Sequence, residues 1–338
     1  MSNIKVLGID LAKDVFQLHG TDAKGKKVLS KRLSRSKLVE YMSNLSPCLV
    51  GIEACGSSHY WARVFREQGH TVKMMAPQFV KPYVKSNKND PRDAEGIAEA
   101  VTRPTMRFVP IKEIEQQDIL LLHRVRELAM KQRTAQGNQI RGLLAEYGVI
   151  IPKGIASLSR LPEILDENTA KLTSAAKEVF TQLHEQLKIY IQQVIDYEYK
   201  IEQHAARDPR CLAIQEIEGI GPITASALVA SISDPGVFKN GREVSAWLGL
   251  VPRQFSSGNK IVLGGIGKRG DHYLKKLLLH GGRSVVRGCE EKIDKKSEWV
   301  KDKLHRGGFN KAAVAVANKN ARVVWALLAT GECYRKAA

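Results

Sequence analysis

The sequence predicts a mixed α/β N-terminal domain, then a long helical arm, then a mostly helical C-terminal domain. Three observations carry this. Two short hydrophobic runs, Val6-Leu7-Gly8-Ile9-Asp10 and Leu49-Val50-Gly51-Ile52-Glu53, each end in an acid and alternate with helical patterns. Apolar residues from Leu172 to Ile201 recur at steps of three and four over several heptads. A Gly219-Ile220-Gly221-Pro222 turn leads into the apolar segment Ala225–Ile232.

The elements follow in order. Ile4–Ile9 reads as the first strand, Val15–His19 as the second and Lys27–Leu33 as the third, joined by turns at Lys13-Asp14 and Asp22–Gly25. Leu38–Leu45 is a short helix, Cys48–Ile52 a parallel strand, and Tyr60–Gln68 a helix stopped by Gly69. Thr71–Met75 is the next strand, and Asp93–Val101 a helix that stops before Pro104. Three early strands followed by alternating helix and strand predict an antiparallel hairpin edge on a parallel core, a ribonuclease H-like arrangement. From Ile111 to Tyr147 the pattern is helical, with Ile114, Leu121, Val125, Leu128, Ile140 and Leu144 sharing a face. Residues 148–168, with Gly148, Pro152, Gly154 and Pro162, read as a connection to the second long helix. That helix carries Leu172, Ala175, Val179, Leu183, Leu187, Ile191, Val194 and Ile201 as its apolar seam, a coiled-coil or packed-hairpin arm. The domain boundaries expected are residues 1–110, 111–208 and 209–338.

Charge narrows the partner. The 338 residues hold 53 Lys+Arg against 35 Asp+Glu, a formal net charge of +18. Such an excess favours a polyanion, because cationic side chains release the counterions condensed on phosphates. The five cysteines are scattered, with no Cys-x-x-Cys and no paired histidine spacing, which points to reduced thiols rather than zinc ligands or disulfides. No apolar run approaches the ~20 residues of a membrane span. A cytoplasmic protein, with neither membrane span nor signal peptide, is the expectation.

Two groups of residues could carry chemistry. Asp10 and Glu53 close their strands, and Asp90 and Asp93 stand three apart in Asn87-Lys88-Asn89-Asp90-Pro91-Arg92-Asp93-Ala94-Glu95. Strand-end acids are delivered to the sheet edge where ligands bind. Four converging carboxylates would repel one another unless a hard cation such as Mg²⁺ sat between them. Each acid also has a structural reading: Asp10 as a turn residue, Glu53 as a surface acid, Asp90 as the helix N-cap before Pro91. The second group is Trp247–Lys260 with Gly264–Gly270. Ser256 and Ser257, between Pro252 and Gly258, can be turn residues or a nucleophile. Arg253, Lys260, Lys268 and Arg269 could supply the positive charge a phosphorane needs. Gly219 and Gly221 fit a helix-hairpin-helix, in which backbone N–H groups approach a phosphate without reading bases.

The segments Val6–Lys13, Ile52–Gly56, Ala76–Val84, Asn87–Glu95, Thr102–Met106, Gly219–Pro222 and Leu250–Gly270 together resemble the IS110-family transposases, in particular their IS1111-like branch. The resemblance spans nearly the whole chain, with both diagnostic blocks in order. It implies a RuvC-like domain whose four acids, Asp10, Glu53, Asp90 and Asp93, bind Mg²⁺. It also implies a C-terminal transposase domain whose serine, Ser257 by its place before Gly258 or else Ser256, attacks DNA and becomes linked to phosphate. The partners implied are double-stranded DNA from element ends and target, and a guide (bridge) RNA. Two duplexes cut and rejoined need at least two active sites, hence a homo-oligomer, dimer to tetramer, associated with the nucleoid when bound. Two positions depart from the family pattern. Gly267 stands where a serine is common, and Glu218 where a proline often precedes the Gly-Ile-Gly turn. Two other functions fit parts of the pattern: a metal-dependent, Holliday-junction-type nuclease, and a binding protein without catalysis. A DNA invertase on the same scaffold is a nearer alternative.

Overall fold

The structure, a computed structural model, describes residues 4–85, 89–258, 260–267 and 270–335. The chain divides into two compact units, Met1–Glu115 and Gln116–Ala338.

The first unit is built on one six-stranded sheet, in the spatial order β3-β2-β1-β4-β5-β6. β1 (Val6–Asp10), β2 (Val15–Thr21) and β3 (Lys27–Ser34) form an antiparallel meander. After α1 (Arg35–Ser43), β4 (Leu49–Glu53) lies parallel to β1; after α2 (Ser58–Glu67), β5 (Thr71–Met75) lies parallel to β4. α3 (Pro77–Val80) and α4 (Asp90–Ala100) follow, and β6 (Phe108–Val109) pairs antiparallel to β5 as a short edge that the sequence pattern did not announce.

Alternation along β1 and β4 divides the core between the two faces of the sheet. Leu7, Ile9, Val50 and Ile52 pack with Phe16, Leu38, Met42, Trp61 and Phe65, from β2, α1 and α2. Val6 and Leu49 turn to the other face, where Met75, Ile97, Ala100 and Val101 cluster beneath α4. On that face Gly8 and Gly51 lie side by side in register. A Cβ at Gly8 would stand 2.3 Å from the Ala94 carbonyl oxygen and 2.5 Å from the Ala98 nitrogen; at Gly51 it would meet Val101 Cβ at 2.8 Å. The missing side chains let α4 lie directly on the backbone of β1 and β4. Gly8→Ala should therefore destabilise the unit by about 1–3 kcal/mol, since backbone must move, and Gly51→Ala by less, since its nearest neighbour is a side chain. Urea unfolding of both variants checks the ranking.

The second unit is helical apart from one hairpin. α5 (Ile114–Ala145) and α7 (Ser174–Arg207) run antiparallel, as the pairs Arg126–Glu198 and Gln136 Nε2 to the Leu183 carbonyl (3.3 Å) require. α6 (Leu161–Glu167) breaks the expected connection between them, burying Leu161 and Leu165 against Ile140, Leu144, Phe180 and Leu187. Then come α8 (Pro209–Gln215), α9 (Pro222–Ser231), α10 (Gly241–Trp247), the hairpin β7 (Pro252–Gln254) and β8 (Leu263–Ile266), α11 (His272–Arg287), α12 (Lys295–Gly307) and α13 (Phe309–Thr330). Among the described residues no helix is long and apolar enough to cross a membrane.

The seam of α5 is not the one its hydrophobicity predicts. Leu121 and Leu128 are 59% and 55% exposed, while His123, Arg126 and Ala129 are buried alongside Ile119 and Ile140. The inward polar groups are partnered, which makes their burial tolerable. Arg126 pairs with Glu198, and His123 Nδ1 and Nε2 hydrogen-bond Tyr273 Oη and Ser226 Oγ, each at 2.8 Å. On α7 the predicted seam is met at Leu187, Val194 and Ile201, but Phe180 and His184 face inward where Val179 was expected.

Burial, reinforced by Arg126 and His204, pushes His123 down to about 4 from an ordinary 6.5. Below pH 6.5 the unfolded chain takes up a proton that the folded chain refuses, so stability falls as pH drops from 6.5 toward 4. The full shift corresponds to on the order of 3 kcal/mol. His123→Gln should flatten that acid limb, which unfolding midpoints at pH 7.5, 6 and 5 would reveal.

Candidate active site

Gly8 and Gly51 explain where the acids go. Asp10 and Glu53 are two residues beyond them on the same strands, so they face the same side of the sheet as α4. α4 begins at that end. Its N-cap is Asn89, whose Oδ1 accepts from the Arg92 N–H (3.0 Å), with Asp90 and Pro91 as the first helical residues. Asp90 is therefore not the cap that the Asp-Pro pair suggested; a residue in the first turn has its carboxylate outside the capping position. Asp10, Glu53, Asp90 and Asp93 line one cleft of about 590 Å³, with Gln78, Lys81 and Val84 on its rim. The cleft is open: among the described residues no three His, Cys, Asp or Glu groups stand close enough to be a ready-made metal cage. The carboxylate field is felt next door. Burial raises the Cys55 thiol above its ordinary range, and Glu53 and Asp10 push it further. Asn87 and Lys88, part of the motif that flagged this site, lie outside the described residues.

Ser257 belongs to the second unit, on the hairpin that projects between α10 and α11. Its backbone N–H and C=O exchange hydrogen bonds with Lys260 (3.3 and 3.2 Å), closing a two-residue tip in which Gly258 has φ +56°. That left-handed backbone favours glycine. Residues directly opposite on an antiparallel pair share a face, so Lys260 stands beside Ser257. Arg253, two and four residues back from Phe255 and Ser257, alternates onto that face, its guanidinium 5.8 Å from the Phe255 ring. Ser256 turns the other way, and its Oγ accepts from Gln254 Nε2 (2.9 Å); among the described residues the Ser257 hydroxyl has no partner. Lys268 and Arg269 lie outside the described residues.

Two family models match stretches of the chain that contain these two blocks. A family model described as Transposase IS116/IS110/IS902 family matches residues 211–298, and the IS110 DEDD transposase model matches residues 7–149. A probable family 20 transposase of Pseudomonas aeruginosa is 47% identical over 98% of this chain and 99% of its own length. The transposase for insertion sequence element IS1111A of Coxiella burnetii is 46% identical over 99% of this chain and 92% of its own, and that for IS1328 of Yersinia enterocolitica 38% identical over 99% and 100%. The chain belongs to the IS110 family of transposases.

As a transposase it is a DNA-cleaving and rejoining enzyme, of the IS1111-like branch. The two positions expected to depart from the family pattern, Glu218 and Gly267, make different local contacts. Glu218 pairs with Lys292 and with Lys296 (3.4 Å), and its backbone carbonyl accepts from Asn320 Nδ2 (3.0 Å). Burial works against the carboxylate's charge, yet the Lys292 hydrogen bond and the nearby ammonium groups hold it below its usual range. Gly267 takes a backbone role, its carbonyl accepting from the buried Lys275 Nζ (2.8 Å). Gly219 is held at φ +91° with no room for a Cβ, which would stand 2.9 Å from the Gly281 oxygen of α11, whereas Gly221 is open to solvent. Sequence reasoning passed over Gly8 and Gly51 as positioning residues. The signal was present: both strands repeat two apolar residues, Gly, Ile and an acid.

Proposed function

We propose that this transposase cuts and rejoins insertion-sequence DNA through Ser257, assisted by Mg²⁺ held by Asp10, Glu53, Asp90 and Asp93. The observation that carries the proposal is the shared cleft of four acids from three distant segments. An all-carboxylate donor set suits Mg²⁺, which needs only one or two carboxylates when waters and phosphate oxygens complete its shell, so an open cleft fits it. Mg²⁺, when bound, supplies Lewis-acid polarisation of the scissile phosphate.

The chain's own groups do the rest. Ser257 Oγ forms a bond to phosphorus, the bond from phosphorus to the 3′-oxygen breaks, and the serine proton is passed to that oxygen. The product is a 5′-phosphoserine and a free 3′-hydroxyl. Attack by another 3′-hydroxyl reverses the step, so joining needs no ATP. Lys260 and Arg253, on the face of Ser257, stabilise the charge that builds on the phosphorane. Whether one protomer or two supplies serine and acids, the reaction uses both groups.

The remaining assignments follow from the same reading. The strand order β3-β2-β1-β4-β5 supports a ribonuclease H-like, RuvC-like domain over residues 1–110. Residues 111–208 form a coiled-coil arm that joins protomers into a dimer or tetramer, an assignment supported by the exposed Leu121 and Leu128 at seven-residue spacing. Residues 209–338 form the transposase domain, whose α8–α9 turn at Gly219 and Gly221 is a helix-hairpin-helix on a DNA backbone. The net charge of +18 suits DNA together with an element-encoded guide RNA, in a cytoplasmic, nucleoid-associated complex.

The test incubates the protein with Mg²⁺, RNA from the element's flanking non-coding end and labelled junction DNA. A denaturation-resistant protein–DNA adduct mapping by mass spectrometry to Ser257 is expected. Cleavage to free 5′-phosphates with no adduct would sink the serine mechanism and leave a metal-dependent nuclease.

A further inference from the structure

We propose that a groove along α13 binds a single strand of DNA, holding its phosphates on Arg242, Lys311, Lys319 and Arg322 and its unpaired bases against Trp299 and Trp325. The groove encloses about 970 Å³, room for a few nucleotides, and all six residues line it. Among the described residues no aspartate or glutamate does, in a unit that elsewhere interleaves both signs. Among the described residues Arg242, Lys311 and Arg322 form no ion pair, so their charge is turned to solvent rather than spent on a fold contact.

Helical periodicity explains the stripe. Lys311, Ala315, Asn318 and Arg322 recur at steps of four, three and four, and Lys319 adjoins them, so one face of α13 is basic and lightly built. Gly241 completes the wall. A Cβ there would stand 2.8 Å from the Arg322 carbonyl oxygen, so α10 lies directly on α13 and sets Arg242 beside Arg322. The aromatic rings are fixed before any ligand arrives. Trp325 Nε1 donates to the Pro235 carbonyl (3.0 Å), and Lys319 Nζ sits 4.6 Å from the centre of the Trp299 ring.

Cations bordering half-buried tryptophans match an unpaired strand. A duplex offers phosphates but hides its base faces, whereas every unpaired base has a face to stack. The groove's neighbour decides the kind of strand. Asn318 Nδ2 donates to the Leu250 carbonyl (3.2 Å), and Leu250 and Pro252, which line the groove, run straight into the hairpin that carries Ser257. A strand lying here leads to a segment of the enzyme that works on DNA. The choice of DNA as the strand rests on the proposed reading of the Ser257 hairpin as the segment that works on DNA, whereas strand binding by the groove is tested separately from the chemistry of Ser257.

The experiment uses the full chain and a short fluorescent oligothymidylate, followed by anisotropy across a salt series. Lys311→Ala/Arg322→Ala should weaken binding and lower the slope of log affinity against log salt by about 1.4, two phosphate contacts at ~0.7 each. Trp299→Leu, which keeps an apolar side chain on α12 against the cluster of Val285, Val286, Ala312 and Val316, should weaken binding about tenfold. Cross-linking with 5-iododeoxyuridine in the same oligonucleotide should map to Trp299 or Trp325. Cross-links found only elsewhere, or an unchanged salt slope in the double variant, would overturn the site. Tighter binding of oligouridylate or of a duplex through these same residues would overturn the assignment to single-stranded DNA. Ser257→Ala should bind the oligonucleotide like wild type, so failure of the serine mechanism and failure of the groove give different results.

Discussion

Ser257→Ala should form no denaturation-resistant link to DNA and should join no strands, a loss of at least about 10⁴-fold. The substitution removes one oxygen from an exposed hairpin tip and disturbs nothing buried. The tip is held by backbone hydrogen bonds to Lys260 and by the left-handed Gly258, none of which needs the serine hydroxyl. Ser256 is a poor substitute, because it faces the other way and its hydroxyl is held by Gln254. DNA affinity should stay within about twofold of wild type, since a neutral hydroxyl adds little to a charge-driven interaction. Denaturing gels read the adduct and mobility shifts read the binding. An adduct at wild-type level in Ser257→Ala would move the nucleophile to another residue.

Asp10→Asn should slow strand cutting by roughly 10³-fold, equivalent to several kcal/mol of lost charge stabilisation in the transition state. Asparagine keeps the shape of the side chain, so β1 and its pairing with β4 should persist. What changes is one negative charge at the mouth of a cleft that needs negative charge to attract a divalent cation. Half-saturation by Mg²⁺ should move to higher concentration, while DNA binding without metal should hold or strengthen, because the protein becomes more positive. Single-turnover cutting across a Mg²⁺ titration separates these effects. A wild-type rate at every Mg²⁺ concentration would remove Asp10 from the chemistry.

Much of the first unit was legible because its strands alternate and its helices end on recognisable residues. Thr71–Met75 and the three early strands were placed to within about two residues, and Gly69, at φ +90°, ends α2 as expected. Its errors have local causes. The Asp-Pro pair drew the helix cap one residue too late, because Asn89 and Asp90 are equally good caps by residue type and only backbone dihedrals separate them. The two residues of β6 were too few to show a period.

The arm misled more, since hydrophobicity was taken as burial. Leu121 and Leu128 face solvent while His123 and Arg126 face inward, because Tyr273, Ser226 and Glu198 wait there to pair with them. Partners 72 to 150 residues away cannot be seen from a helix's own periodicity. The Ser257 block was marked by its residues, but not as a hairpin, since its strands are short and carry little alternation.

Local chemistry by itself therefore determined the α/β order, the long helices, the basic charge and the residues worth watching. Those properties depend on spacing and on side-chain type, which a linear chain displays. Tertiary structure alone decided that four acids share a cleft and that a basic, tryptophan-lined groove adjoins the serine hairpin. Both depend on how closely helices can approach, at Gly8 and Gly51 for α4 and at Gly241 for α10. A missing side chain becomes informative only when the backbone that fills its space is known.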